Sequence, residues 1–178
     1  MMRTCVAVIG IALLCSRSAL GAEAGWQRYV NPRFGVVVNY PAAFSVRDRP
    51  PDNGDGQTFR TPRGDAVLRI FGSYNVDHEP SARLMQSRKQ VEITYSYIKV
   101  EADWFVLSWS KNGRISYLRC NLGGQEYDTI GCVELNYPAA DASRWALIVD
   151  RISKSLRVQS RASGLIIPQF RPVPGHLT

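Results

Sequence analysis

The chain is short of the residues on which most enzymatic chemistry depends. It holds two histidines in 178 residues, His78 and His176, and they lie far apart. It contains no His-Glu-x-x-His pair, no Gly-x-Ser-x-Gly elbow, no Walker loop and no Gly-x-Gly-x-x-Gly fingerprint. Each of these patterns sets a metal, a nucleophile or a row of backbone N–H groups at a fixed spacing, so the reactions built on them lack support here. Cysteine is also scarce: Cys5 and Cys15 stand near the start, Cys120 and Cys132 far downstream. With no Cys-x-x-Cys pair and no histidine beside them, the late two suit neither dithiol redox work nor zinc. No apolar run reaches the ~20 residues a membrane-crossing helix needs. The sequence therefore assigns no catalytic, cofactor-binding or metal-ligating residue.

What is present begins with an export pattern. Arg3 supplies a positive start, Val6 to Leu14 an apolar stretch, and Ala19, Gly21, Ala22 and Ala24 the small residues of a cleavage site. Residues 1–22 are predicted to be a signal peptide, cut after Gly21, with Ala22 and Ala24 as alternatives. Cys15 follows Leu14, where a lipoprotein signal wants a small residue, so lipidation is the minor reading. The expected location is periplasmic or secreted, with no transmembrane segment once the leader is gone. In an oxidising compartment Cys120 and Cys132, on neighbouring predicted strands, are expected to form a disulfide. Closing so short a loop is worth roughly 3 kcal/mol in the chain-entropy model.

The formal charge is +7. Arg3 and Arg17 fall in the leader, which leaves twenty bases against fifteen acids, a net +5. The bases are scattered rather than clustered, so nucleic acid is not an expected partner.

Trp104 to Tyr137 reads as three antiparallel strands, the first two joined by Asn112-Gly113, a dipeptide that tolerates the positive φ of a tight hairpin. Upstream, Trp26 to Tyr40 reads as a hairpin turning at Asn31-Pro32 and Gly35, and Pro41 ends its second strand. Residues 48–56 form a loop. Gln57–Arg60 and Ala66–Tyr74 form a second hairpin around Pro62-Arg63-Gly64-Asp65, with Leu68, Ile70 and Gly72 on one face. A short helix is expected from Pro80 to about Gln90, capped by Asp77, and a strand from Glu92 to Val100. Trp104, Phe105, Val106, Leu107 and Trp109 are apolar on both faces of their strand, which implies a sheet covered on two sides, with helices as the covers. The best cover is Asp141 to Leu156, where Trp145, Ile148, Val149, Ile152 and Leu156 recur at helical spacing behind an Asp141 cap. Burying that stripe contributes about 7–15 kcal/mol before entropy is subtracted. Residues 158–178 contain three prolines and no helical period, and are expected to form a loosely ordered tail. Within them Leu165-Ile166-Ile167 offers a segment that can add to a sheet edge or fill a partner groove.

Three constellations invite a chemical reading and fail it. Asp52-Asn53-Gly54-Asp55-Gly56 looks like a calcium loop, but anchoring on Gly56 puts Pro51 at the first position and Pro62 at the twelfth. Asp77-His78-Glu79 are consecutive and do not converge on one point. Glu101 and Asp103 flank a strand turn, where solvated charge is the ordinary account. Tyr95 and Tyr97, two apart on one strand, are expected to share a face.

The order of these elements, with the segments RFGVVVNYPAAF, WFVLSW, VELNYP and RWALIVDRISKSL, resembles the PsbP-like fold. That fold is shared by photosystem II PsbP subunits and a Ran-binding nuclear import factor, and small secreted bacterial proteins look similar. The resemblance spans residues 26–157. It implies an α+β architecture, an antiparallel β-sheet sandwiched between helices (α/β/α), and a role in binding or assembly rather than catalysis. The chain is accordingly expected to be an exported, non-catalytic module that binds a protein or envelope component. The alternatives are a periplasmic hydrolase with an unrecognised site, and attachment to an anionic surface through Arg157, Arg161 and Arg171.

Overall fold

In the computed structural model, residues 25–160 are described. The leader, Cys15, His176, Arg161, Arg171, Leu165-Ile166-Ile167 and most of the tail lie outside them. The elements run β1 (Trp26–Asn31), β2 (Val36–Pro41), β3 (Val46–Arg47), β4 (Gly56–Arg60), β5 (Val67–Tyr74), α1 (Ser81–Arg88), β6 (Tyr95–Val100), β7 (Trp104–Lys111), β8 (Arg114–Gly123), β9 (Thr129–Pro138), α2 (Ala142–Ser155) and β10 (Arg157–Val158). The fold is α+β, and every strand pair is antiparallel.

Seven strands form the main sheet in the order β3-β4-β5-β9-β8-β7-β6. Asn112 and Gly113 both take positive φ, 52° and 71°, and close the β7–β8 hairpin as the sequence predicts. Cys120 stands directly opposite Cys132 across β8 and β9, and the two are joined by a disulfide. The first hairpin does not join this sheet. It forms its own three-stranded sheet, β1-β2-β10, in which Arg157 and Val158 pair with Val37 and Val36. Ordered strand thus runs one residue past the domain end expected at 157.

The two faces of the main sheet are covered differently. On one face, Leu84 and Met85 of α1 pack over Phe105, Leu107, Leu118, Cys120, Leu122, Ile130 and Cys132. This eight-residue helix covers only part of that face. Beyond it the surface turns polar, with Arg69 paired to Glu134 at 2.9 Å and Arg114 hydrogen-bonded to Asn136. On the other face, Trp145, Val149, Ile152 and Leu156 of α2 share one core with Val36, Val38 and Tyr40 of β2 and with Phe59, Leu68, Ile70, Val133 and Leu135. Helices are therefore not the sole covers: the small sheet shares this layer with α2. Toward β7 the cover on the same side is made by cations, with the Arg119 guanidinium 4.1 Å and the Lys99 ammonium 5.1 Å from the Trp104 ring centroid. Charged side chains with long apolar stems can roof an aromatic in this way while keeping their heads wet.

Neither expected cap forms. α1 begins after Pro80 with no side-chain cap, and α2 begins after Asp141 with none. The loop before α1 is instead fixed by buried Asn75, whose side chain accepts from the Glu79 N–H and donates to the Glu79 and Tyr127 carbonyls, all at 3.0 Å. The strand expected from Glu92 starts only at Tyr95. A bulge between Tyr95 and Tyr97 then sends them to opposite faces: Tyr95 packs edge-on against Trp109 at 5.5 Å, and Tyr97 is half exposed.

Candidate functional site

The groove with the most suitable lining for a ligand lies where three distant segments meet. Pro41 ends β2, because its nitrogen cannot donate, and the chain turns through Ala43 and Phe44, with the Phe44 N–H bonded to the Pro41 carbonyl at 3.1 Å. The β4–β5 turn approaches from one side. It is closed by the Gly64 N–H on the Thr61 carbonyl at 2.9 Å, and Gly64 supplies a φ of 68° that a side chain would disfavour. The first turns of α2 form the third wall. Together they enclose about 310 Å³.

Its floor is aromatic. Trp145 and Phe44 are almost fully buried. Trp145 stacks on Tyr137 with centroids 5.4 Å apart and leans on Phe44 at 5.8 Å. Pro41, Pro62 and Ile148 complete the apolar lining, and Arg63, Asp65 and Arg144 stand at the rim. Asp65 accepts a hydrogen bond from the Thr61 hydroxyl and pairs with Arg63 at 3.6 Å. The Thr61 hydroxyl and, less strongly, the charges of Arg63 and Arg144 hold its carboxyl below the usual carboxylate value against a desolvation cost. The groove's one carboxylate is thus a fixed anion, which suits electrostatics rather than proton transfer.

The constellations read from sequence do not meet in this groove. Arg33 sends its guanidinium to the Asn53 carbonyl and pairs with Asp55 at 3.4 Å, so an organic cation braces the loop that resembles a calcium site. His78 has a φ of 49° and its Nδ1 lies 2.9 Å from the Glu126 carbonyl, a tie between two loops. Glu79 pairs with Arg83, and Glu101 pairs with Lys99. Among the described residues no three histidines, cysteines or carboxylates gather where they could hold a metal ion. Of the basic tail, the described Arg157 donates to the Lys154 and Leu156 carbonyls at the end of α2. Phe44, Arg63 and Arg144 escape sequence reading because no local motif links positions so far apart. Their common signal is a polar residue beside an apolar stripe, which also describes any helix or turn surface.

No family model matches the chain, and no curated protein matches it. Solved structures do. The solution structure of cyanobacterial PsbP (CyanoP) from Synechocystis sp. PCC 6803 is similar, with a TM-score of 0.55 and 14% identity, over 82% of this chain and 98% of that one. The Ran-binding protein Mog1p of Saccharomyces cerevisiae gives a TM-score of 0.48 at 10% identity, over 75% of this chain and 95% of that one. The fold is PsbP-like.

Proposed function

We propose that this chain is an exported, non-catalytic binding or assembly module that holds a protein or envelope partner in the groove between α2 and the β4–β5 turn. The observation that carries the reading is the groove itself: a buried aromatic floor, open above, under an arginine rim. Ligand sites are concave, mainly apolar and ringed by a few polar groups in this way. Export draws support from the leader pattern and from the Cys120–Cys132 disulfide, a bond that persists outside the reducing cytosol.

Photo-crosslinking in cells that export the protein tests the reading. A photoreactive residue at Ser45, on the groove wall, is expected to yield one discrete adduct. The same residue at Leu147, exposed on α2 outside the groove, is expected to yield none. Equal labelling from both positions, or none from Ser45, would remove the groove as the partner site.

A further inference from the structure

Resting on that reading, we infer that the groove's occupant is an acidic segment of a partner protein that seats one aromatic or large aliphatic side chain beside a carboxylate. The volume of about 310 Å³ lies at the lower end of small-ligand sites, roughly 300–1,000 Å³. It suits a single anchoring side chain. Phe44, Trp145, Ile148 and Pro62 offer that anchor mainly rings and methyl groups.

The rim sets the charge. Two guanidiniums face one carboxylate there, and that carboxylate is already engaged by the Thr61 hydroxyl and by Arg63. Among the described residues Arg144 has no carboxylate within ion-pair distance; it acts on Asp65 only at longer range and lies 6.0 Å from the Trp145 ring centroid. Guanidinium is planar and presents paired N–H donors, so it reads a carboxylate two-handed where an ammonium acts as a point charge. A basic segment would meet uncompensated like charge at the same rim.

The backbone favours a polypeptide over an acyl chain. Ser45 lines the groove and leads directly into β3, the outermost strand of the main sheet. β3 pairs with β4 on one side only, so an extended segment leaving the groove meets unpaired backbone groups along Val46 and Arg47. An acyl carboxylate could use the floor and one arginine but would leave that edge unused.

The probe is a display library of random short peptides, panned against the full exported chain. It is counter-selected on an Arg63→Glu, Arg144→Glu variant, both changes being at exposed positions. The expected winners carry Asp or Glu next to Phe, Trp or Leu. Their Kd should rise on the order of tenfold or more on the variant and stay unchanged on Leu147→Ala. Circular dichroism establishes that the variant is folded. Neutral or basic winners, equal binding to the variant, or no enrichment at all would overturn the inference. So would saturable binding of decanoate that depends on both arginines while no peptide is enriched. A Ser45 adduct in cells without an acidic signature among the peptides would leave the binding module standing and remove the acidic segment alone.

Discussion

Gly72 and Gly131 stand opposite each other across β5 and β9, and their missing side chains form the notch into which the small sheet fits. A Cβ at Gly72 would come within 2.5 Å of the Phe34 Cβ, and one at Gly131 within 2.6 Å of the Val158 Cγ2 and 2.8 Å of the Val36 Cγ2. Phe34 and Val36 are buried and have nowhere to retreat. Gly131→Ala is therefore expected to cost about 1–3 kcal/mol in urea unfolding through overpacking. Gly25→Ala, with nothing within 4 Å, should stay within about 0.5 kcal/mol. Equal effects would mean that the notch does not hold the two sheets together. Alternation places Gly72 on the face of Leu68 and Ile70, and the structure agrees. That it meets Gly131 depends on a register between distant strands, which no local pattern carries. Tyr117 makes a second residue-scale case. Burial raises its phenol pKa, while a hydrogen bond with Ser153 and the charge of Arg119 pull the other way. The folded state thus keeps the proton to higher pH than the unfolded chain, whose phenols titrate near ~10. Stability from this group is whole below that value and falls as pH rises from it toward the raised folded value. Tyr29 and Tyr137 are raised by burial too and act in the same direction. Tyr117→Phe should lose about 0.5–1.5 kcal/mol at neutral pH, where its 2.8 Å bond to Ser153 is gone, yet show a shallower alkaline decline in urea midpoints. An unchanged alkaline slope would mean that Tyr117 titrates alike in both states.

At the scale of elements, legibility followed how local the sequence pattern was. α2 is predicted from Asp141 to Leu156 and found at Ala142–Ser155, because its apolar stripe alone fixes it. α1 is short and weakly amphipathic, yet it falls at Ser81–Arg88, inside the expected span, because Pro80 suits a helix start. The caps differ from expectation at both helices. Asp141 is a suitable residue at the cap position, but a cap requires the side chain to turn back on the first free N–H groups, which tertiary context decides, and Asp77 stands three residues ahead of the Pro80 cap position. At α1 the entry is held by Asn75, buried and bonded to Glu79 and Tyr127. Asn75→Ala should then cost about 1–3 kcal/mol, since it removes three hydrogen bonds made by a buried side chain and leaves part-buried backbone groups of Glu79 and Tyr127 without partners. Asp77→Ala, at an exposed position, should fall within about 0.5 kcal/mol. Thermal or urea unfolding of the two variants checks this, and a larger loss from Asp77→Ala would restore the cap.

For the whole molecule, the element order and the doubly covered sheet were readable, because hairpin turns and apolar patterning are written locally. The division into two sheets was not, because β2 reads equally well as an edge strand of one sheet or as a strand lying across it. The groove was hidden for the same reason, since its walls meet only when β2, the β4–β5 turn and α2 are stacked. Stacking also decides which sheet edges face solvent. The main sheet ends in β3, two residues long, and in β6, six residues long. A long open edge is a template for another strand, and proteins blunt it with bulges and charge. β6 carries both devices, the irregularity at Tyr95–Tyr97 and Lys99, yet it leaves Tyr97 and Ile98 exposed beside fully exposed Val91. The protection is therefore partial, and heat-induced association should begin at β6. Ile98→Lys is expected to delay the onset of light scattering on heating while moving the urea midpoint by less than about 0.5 kcal/mol. Lys99→Ile should bring the onset forward. Onsets that ignore both changes would locate the association-prone surface elsewhere.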